Sequence, residues 1–546
     1  MSGDALKPLG YVNFDAGSAN STEVEIRVPA ESLQEIRRGQ YVRIESDIGG
    51  SKRNFFSRIS KGPFFEPDAV SRDSAFARAA ILHAGEVKFR PDFHGVCNVQ
   101  IEGELDMTAM KTYGTFVRPK PQSAVYPLTA AEIEKLLELS GDMYIGRLDG
   151  YPDVKIRMPS DKNAALPRNV GIFGTVGSGK TNTSQVLIEE AASHNWAVIV
   201  LDVEGEYIDM DKPSKQASLR RLFTEFGIQP KGVEALDVYN PIETETNRAD
   251  STPFGVRFSN MDPHILVEIL ALSPAQADRF LEIWYNVKGK STSGQRKTRT
   301  KAGLVRSMME GLEGGPAIGI RLEDIISQID SKLEGDKKPE GGRASYYVLR
   351  RKLQKVLRYG IFDTEETLGD YHQLLKPNTV SVIDLSGSSN PEVNNIVITD
   401  LLGSVFRLKV ADKNRELPNT LIVIEEAHTL VSKDNASRME ETLSVLREIS
   451  RRGRKRWMSL CFISQQPSHL PPEIYELCNT KIAHQTTGGR NLEAIKGATG
   501  GVDPNVWDDV PKLGQGTCLF ISSFFHNRPM FCNVRPCMSE RRMTEE

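Results

Sequence analysis

An α/β fold with a largely parallel sheet, preceded by a small β-barrel and interrupted by a helical insertion, is predicted by three observations. From Asn169 onward, short apolar runs alternate with helical segments. Ahead of them lie short alternating runs punctuated by Gly, Asn, Asp and Pro. A glycine-rich turn joins the first long apolar run to the first long helix. Continuous apolar runs are what parallel strands covered on both faces require, whereas period-two alternation suits an antiparallel barrel or sandwich.

The alternating region covers residues 8–126 and includes EVEIRV (23–28), GQYVRIE (39–45) and GVCNVQIE (95–102). A helical link at 129–140 follows, with an apolar face at Ile133, Leu136 and Leu137, and 160–167 reads as loop. The sheet then begins with a strand at 170–173, a helix at 180–193 and a strand at 196–202. A mostly helical stretch, 262–371, interrupts it with helices at 262–272, 274–286, 321–333 and 344–359. Two linkers inside that stretch, 288–301 and 334–342, are rich in Gly, Ser, Thr and Lys and read as mobile. Strands resume at 379–385, 420–424, 458–464 and 481–485. The expected divisions are therefore 1–126 (barrel), 127–261 (first part of the core with its linker), 262–371 (helical insertion) and 372–546 (second part of the core and C-terminal segment).

Bulk properties narrow the function classes. With 546 residues the chain exceeds one hydrophobic core, and 39% hydrophobic with 26% charged residues is ordinary for a globular protein. The formal net charge of −3 means that contact with nucleic acid must come from a local basic patch. The six cysteines include no CxxC pair and read as buried, reduced thiols rather than a zinc site or a disulfide framework. The longest apolar runs, such as 197–201, are strand-sized, so no membrane span and a cytoplasmic location are expected.

The strongest chemical signal is GTVGSGKT at 174–181, which fills GxxxxGK[ST] between a strand and a helix. Gly174, Gly177 and Gly179 let the backbone turn so that successive N–H groups, that of Ser178 among them, face phosphate, and the helix N-terminus adds its dipole. Lys180 is expected to reach the β- and γ-phosphates of ATP, and Thr181 to offer its hydroxyl to Mg²⁺. LIVIEE at 421–426 is an apolar strand ending in two acids. Glu425 is positioned to hold Mg²⁺ through water, and Glu426 to polarise the attacking water as general base; a solvated acid pair is the bland alternative. Asp202 ends the strand after the first helix, with Glu206 close behind. Because neighbouring parallel strands converge on one crevice, Asp202 takes either a catalytic or metal-linked role or that of a structural loop acid. Gln465 leaves a polar amide at the end of FIS (462–464), able to hydrogen-bond a γ-phosphate or its attacking water.

Six of the ten residues from Arg447 to Arg456 are basic: Arg447, Arg451, Arg452, Arg454, Lys455 and Arg456. An arginine finger for a neighbouring subunit, contacts to DNA phosphates in a pore, and a solvated face all fit the run. A second basic stretch, Lys288 to Lys301, lacks aromatics and reads as flexible phosphate contact or as a surface loop.

Together GTVGSGKT (174–181), LDVEGEY (201–207), VIEEAH (423–428), RRGRK (451–455), ISQQPSHLPPEI (463–474) and CNTKI (478–482) resemble the HerA family of the HerA/FtsK superfamily, over essentially the whole chain. The resemblance implies a RecA-like P-loop NTPase core, an N-terminal HAS-barrel and a homohexamer with ATP at its interfaces. It implies that Lys180 and Thr181 bind phosphate and Mg²⁺, that Glu426 is the catalytic acid and Gln465 the sensor, and that Arg454 acts across the subunit interface. Arg168, before the first core strand, matches a second arginine that approaches nucleotide. Where the family has Glu-Gly-Arg-Lys, this chain has Arg452-Gly453-Arg454-Lys455, which changes the local charge pattern. The implied function is translocation on double-stranded DNA with a partner nuclease or a sirtuin-like or other effector docked at the barrel, in end processing or antiphage defence. The competing reading is an ATP-regulated hexameric scaffold that activates a bound effector with little translocation; a conjugative coupling or secretion ATPase is a third.

Overall fold

The computed structural model describes residues 7–15, 22–82, 91–242, 244–291, 319–335, 342–365, 371–388, 390–432 and 439–542, with side chains 289–291 left out. Two compact units result: Met1–Ser140 with Arg147–Ile156 and Asp503–Val506, and Gly141–Gly146 with Arg157–Val502 and Trp507–Glu546.

The first unit is built on seven strands: β1 (Gly10–Val12), β2 (Glu23–Val28), β3 (Tyr41–Ile48), β4 (Ser51–Pro67), β5 (Phe93–Asp106), β6 (Lys111–Tyr113) and β7 (Ala124–Pro127). They run in the order β2-β1-β7-β3-β4-β5-β6, and β2 also pairs with β5, which closes six of them into a barrel. Alternation explains the core. In β2, Val24, Ile26 and Val28 point inward and meet Val42, Ile44, Phe55, Ile59, Cys97 and Val99 from the facing strands. Strands β4 and β5 continue past the barrel as a paired arm with register shifts near Ile59 to Phe64. Phe64, Phe65 and Phe93 on that arm are exposed.

Twelve strands form the large sheet: β8 (Met143–Leu148), β9 (Lys155–Met158), β10 (Val170–Phe173), β11 (Trp196–Asp202), β12 (Ala235–Pro241), β13 (Thr252–Phe254), β14 (Thr379–Asp384), β15 (Asn419–Ile424), β16 (Met458–Ser464), β17 (Thr480–His484), β18 (Thr517–Ser522) and β19 (Met530–Val534). Their order is β13-β12-β14-β11-β15-β16-β10-β17-β18-β19-β8-β9. The run from β13 to β17 is parallel, whereas β17-β18 and β18-β19 are antiparallel. Every residue of β10, β11, β14 and β16 is buried, as strands covered on both faces demand.

Helices Pro263–Ile269, Pro274–Ser291, Leu322–Glu334 and Arg343–Leu357 make up the described part of the insertion. Trp284 of the second packs against Phe280 one turn earlier and against Phe258, which precedes the first. Residues 292–301 of the second basic stretch and 336–341 of the other linker lie outside the described residues. Among the described residues no helix is long and apolar enough to cross a membrane. All six cysteines are buried.

After β19 the chain runs along the helix Lys180–Ser193. Arg535, fully buried, donates to Glu189 Oε2 at 2.8 Å and to Glu190 Oε1 at 2.8 Å. The remaining oxygen of Glu189 accepts from the Met538 and Ser539 amides and the Ser539 hydroxyl. Asn182 accepts from the Cys537 amide and donates to the Arg535 carbonyl. These contacts strap residues 535–540 to the helix that starts at the glycine-rich turn.

Candidate active site

The turn 174–179 leaves β10 and enters the helix at Lys180. Gly179 has φ +111°, a conformation that L side chains rarely adopt, and a Cβ there would stand 3.0 Å from the Gly516 amide nitrogen. Lys180 is buried and donates to the Thr175 carbonyl at 2.8 Å. Burial pulls the Lys180 ammonium below its ordinary value, while Glu426, Glu206 and Glu425 pull it back up. The lysine of the turn and the acids of distant strands are thus near neighbours. His484 supports the turn from behind, its Nε2 2.8 Å from the Thr183 hydroxyl and its Nδ1 3.2 Å from the Thr517 carbonyl. Burial first, and then Lys180, lower its pKa to about 4, so the ring is neutral near pH 7.

Glu426 follows β15 in a left-handed conformation, φ +43° and ψ +51°, that is costly for a residue with a side chain. The surrounding contacts hold it there. Its Oε2 lies 3.1 Å from His428 Nδ1 and accepts from the Gln465 amide at 3.4 Å. Burial would raise the Glu426 carboxyl, but the bonds from His428 and Gln465 outweigh it and hold the group below its ordinary value. Glu426 is therefore a carboxylate at neutral pH, and Gln465, at the end of the adjoining strand β16, is beside it. Sequence reasoning assigned His428 no role; its place two residues beyond Glu426 in VIEEAH was the available signal. Replacing His428 by Ala removes the contact that opposes burial, so the Glu426 pKa rises. The acid limb of the kcat–pH profile is then expected at higher pH than in the parent, where activity is lost as pH falls through the Glu426 value.

Asp202 and Glu425 form a second buried pair. The Asp202 carboxylate accepts from the amides of Gly205 at 2.7 Å, Glu206 at 3.2 Å and Tyr207 at 2.9 Å, which fixes the loop after β11. Burial raises Asp202 to about 6 despite the hydrogen bond from Glu425. Glu425 is pushed well up by burial and by the Asp202 charge and donates its proton to Asp202. Asp202 thus fixes the loop after β11, and Glu425 lies against it. Asp384, in register with Asp202 on β14, is satisfied by Thr246 and Ser386.

Arg168 and Arg454 stand elsewhere. Arg168 precedes β10, and Arg454 follows the helix Glu440–Gly453 ahead of β16. These strands are parallel and adjacent, with Val170 opposite Cys461 and Phe173 opposite Ser464. Both arginines therefore lie at the amino ends of strands whose carboxyl ends carry the turn and Gln465. The seven residues of β16 put about 20 Å between the two edges. Burial and the nearby Arg454 guanidinium hold Arg168 below the ordinary arginine range. Among the described residues no carboxylate pairs with either arginine, and Arg168 Nε is buried with no partner. Asn163 holds Arg454: its amide donates to the Arg454 carbonyl at 2.8 Å, and Arg454 Nε donates to Asn163 Oδ1 at 2.6 Å. In the rest of the run, Arg447 pairs with Glu473 and Arg452 with Glu448, one helical turn earlier. The Arg452 departure is thus accommodated within its own helix. Glu268 of the insertion caps the start of that helix, accepting from the Glu441 and Thr442 amides.

A phosphate-binding turn at the carboxyl edge of a parallel sheet, faced by a strand-end carboxylate and a strand-end amide, defines a P-loop ATPase. Residues 143–405, just under half of the chain, match the family described as Helicase HerA, central domain. Among similar proteins is the DNA double-strand break repair helicase HerA of Sulfolobus acidocaldarius, 23% identical over 94% of this chain and 90% of the relative. The protein of that name from Pyrococcus furiosus is 24% identical over 69% of this chain and 66% of the relative, just short of two thirds of its length. Among solved structures, VirB4 of Thermoanaerobacter pseudethanolicus aligns with a TM-score of 0.49 and 14% identity, over 72% of this chain and 96% of the other.

Proposed function

We propose that the protein is a homohexameric ring motor that hydrolyses ATP to move along double-stranded DNA and works with a partner nuclease or other effector. The observation that carries this reading is the separation of Arg168 and Arg454 from their own subunit's turn by the depth of the sheet. Two guanidiniums with no carboxylate partner among the described residues suit the triphosphate of an adjoining copy. Duplex DNA as the track is supported by the printed names of the HerA relatives. The exposed Phe64, Phe65 and Phe93 of the barrel arm support docking of an effector there.

In the proposed reaction the amides of the turn and Lys180 hold the β- and γ-phosphates. Glu426 takes a proton from water as its oxygen attacks the γ-phosphorus and the bond to ADP breaks. Gln465 orients that water, and Arg454 with Arg168 from the neighbouring copy balances the charge that develops on the transferred phosphoryl group. The oxygen-only donors and the excess of acids around Lys180 fit Mg²⁺, which Thr181 would hold directly and Glu425, after giving up the proton that burial leaves on it, through water. The ion would neutralise phosphate charge. Loss of the γ-phosphate loosens the interface, and basic loops that move with it drag the DNA backbone in a salt-dependent, largely sequence-independent way.

The test compares ATP turnover with and without linear duplex DNA, and turnover of Lys180→Ala and Arg454→Ala chains alone and co-expressed. Stimulation by DNA is expected, as is partial recovery on mixing, because an Arg454→Ala subunit keeps a sound turn that a Lys180→Ala neighbour can serve. Equal turnover with and without DNA would leave the scaffold reading in place of the motor. No recovery on mixing would remove the shared site.

A further inference from the structure

The C-terminal strap carries a cation to the nucleotide site that no motif marks. Upstream, the Arg535–Glu189–Glu190 cluster fixes the strap to the helix that begins at Lys180. Downstream, the Gln185 amide donates to the Glu540 carbonyl at 3.1 Å, and the Arg542 amide donates to the Glu206 carbonyl at 3.1 Å. Between these two ties, Arg541 donates through Nη2 to Glu206 Oε1 at 2.6 Å and through Nε to the same oxygen at 3.2 Å. Glu206 is itself held by its backbone amide, which donates to Asp202 Oδ1 at 3.2 Å at the carboxyl end of β11. The loop that carries Glu206 is tied on one side to the helix that begins at Lys180, through the Ser184 and Tyr207 hydroxyls at 2.7 Å, and on the other to Glu425 at the end of β15, which accepts from the Glu204 amide at 3.4 Å. The charges of Glu206 and Arg541 accordingly act on the Lys180 ammonium, the first raising and the second lowering its pKa. Arg535 already anchors the strap in the interior. Arg541 is 27% exposed, on a site where acids outnumber cations.

We propose that Arg541 contacts the terminal phosphate of ATP bound in its own subunit, with Glu206 holding the guanidinium in place until the nucleotide arrives. This rests on the reading of the turn as an ATP site. A guanidinium offers paired donors that match phosphate oxygens, and phosphate arriving beside Lys180 competes with Glu206 for them.

The test measures binding of a non-hydrolysable ATP analogue and of ADP to the full-length parent, Arg541→Ala, Arg541→Lys and Lys180→Ala, together with melting temperatures. Arg541→Ala is expected to weaken binding of the triphosphate analogue about tenfold and of ADP less than about twofold, at an unchanged melting temperature. Arg541→Lys should recover part of the loss. Unchanged triphosphate affinity in Arg541→Ala overturns the proposal. So does an equal loss for both nucleotides with a lowered melting temperature, the signature of a strap that only braces the helix. Failure of the parent to bind the analogue, or binding by Lys180→Ala equal to the parent's, would instead remove the ATP site itself.

Discussion

Glu426→Gln is expected to lower ATP turnover about 10²–10⁴-fold while ATP still binds, the range that a positioned general base contributes. The amide keeps the size of the side chain and accepts a hydrogen bond from the Gln465 amide, so the left-handed turn at Glu426 and its neighbours should survive. What it lacks is a site for the proton. The contacts from His428 and Gln465 hold Glu426 ionised against the effect of burial, and an amide has no charge for them to hold. Single-turnover hydrolysis and analogue binding, measured on one preparation, separate the two effects. Turnover within threefold of the parent would place the base elsewhere.

Arg454→Ala is expected to reduce turnover about 10³-fold or more, the scale on which a transition-state arginine acts. Its guanidinium is exposed and pairs only with Asn163 among the described residues, so the melting temperature should not move. Lysine at this position should recover little, because an ammonium presents a point charge instead of a planar fork. The loss is read as the ratio of turnover numbers at saturating ATP. A small loss confined to KM would mark Arg454 as a surface charge.

Much of this site was legible because its parts are local. GTVGSGKT needs only a strand before it and a helix after it, and both lie at the expected bounds, Val170–Phe173 and Lys180–Ser193. The strands Trp196–Asp202 and Met458–Ser464 likewise follow from unbroken apolar runs. Long-range geometry was harder to read. The antiparallel strands β18 and β19 extend the parallel sheet beyond β17, and no pattern in TCLFIS or MFCNV says where they pair. Asp202 was read with catalysis and loop support both open. Only the structure reveals that its carboxylate accepts from the amides of residues 205, 206 and 207, and that Glu425 is buried against it. His484 and Arg541 escaped because each works through a partner far away in the chain, which leaves no periodic trace; His428 stands only two residues beyond Glu426, but spacing alone does not say that the two side chains meet.

The anchoring of Arg535 has a consequence for biogenesis. Its carboxylate partner Glu189 was made 346 residues earlier, and until synthesis passes the strap that acid and Glu190 lack their counter-ion. Leaving two interior carboxylates uncompensated is costly enough to keep the flanking helix loosely seated. A ribosome-bound chain that already holds the turn at 174–181, Glu426 and Gln465 should therefore be a poor enzyme until the strap itself has been made.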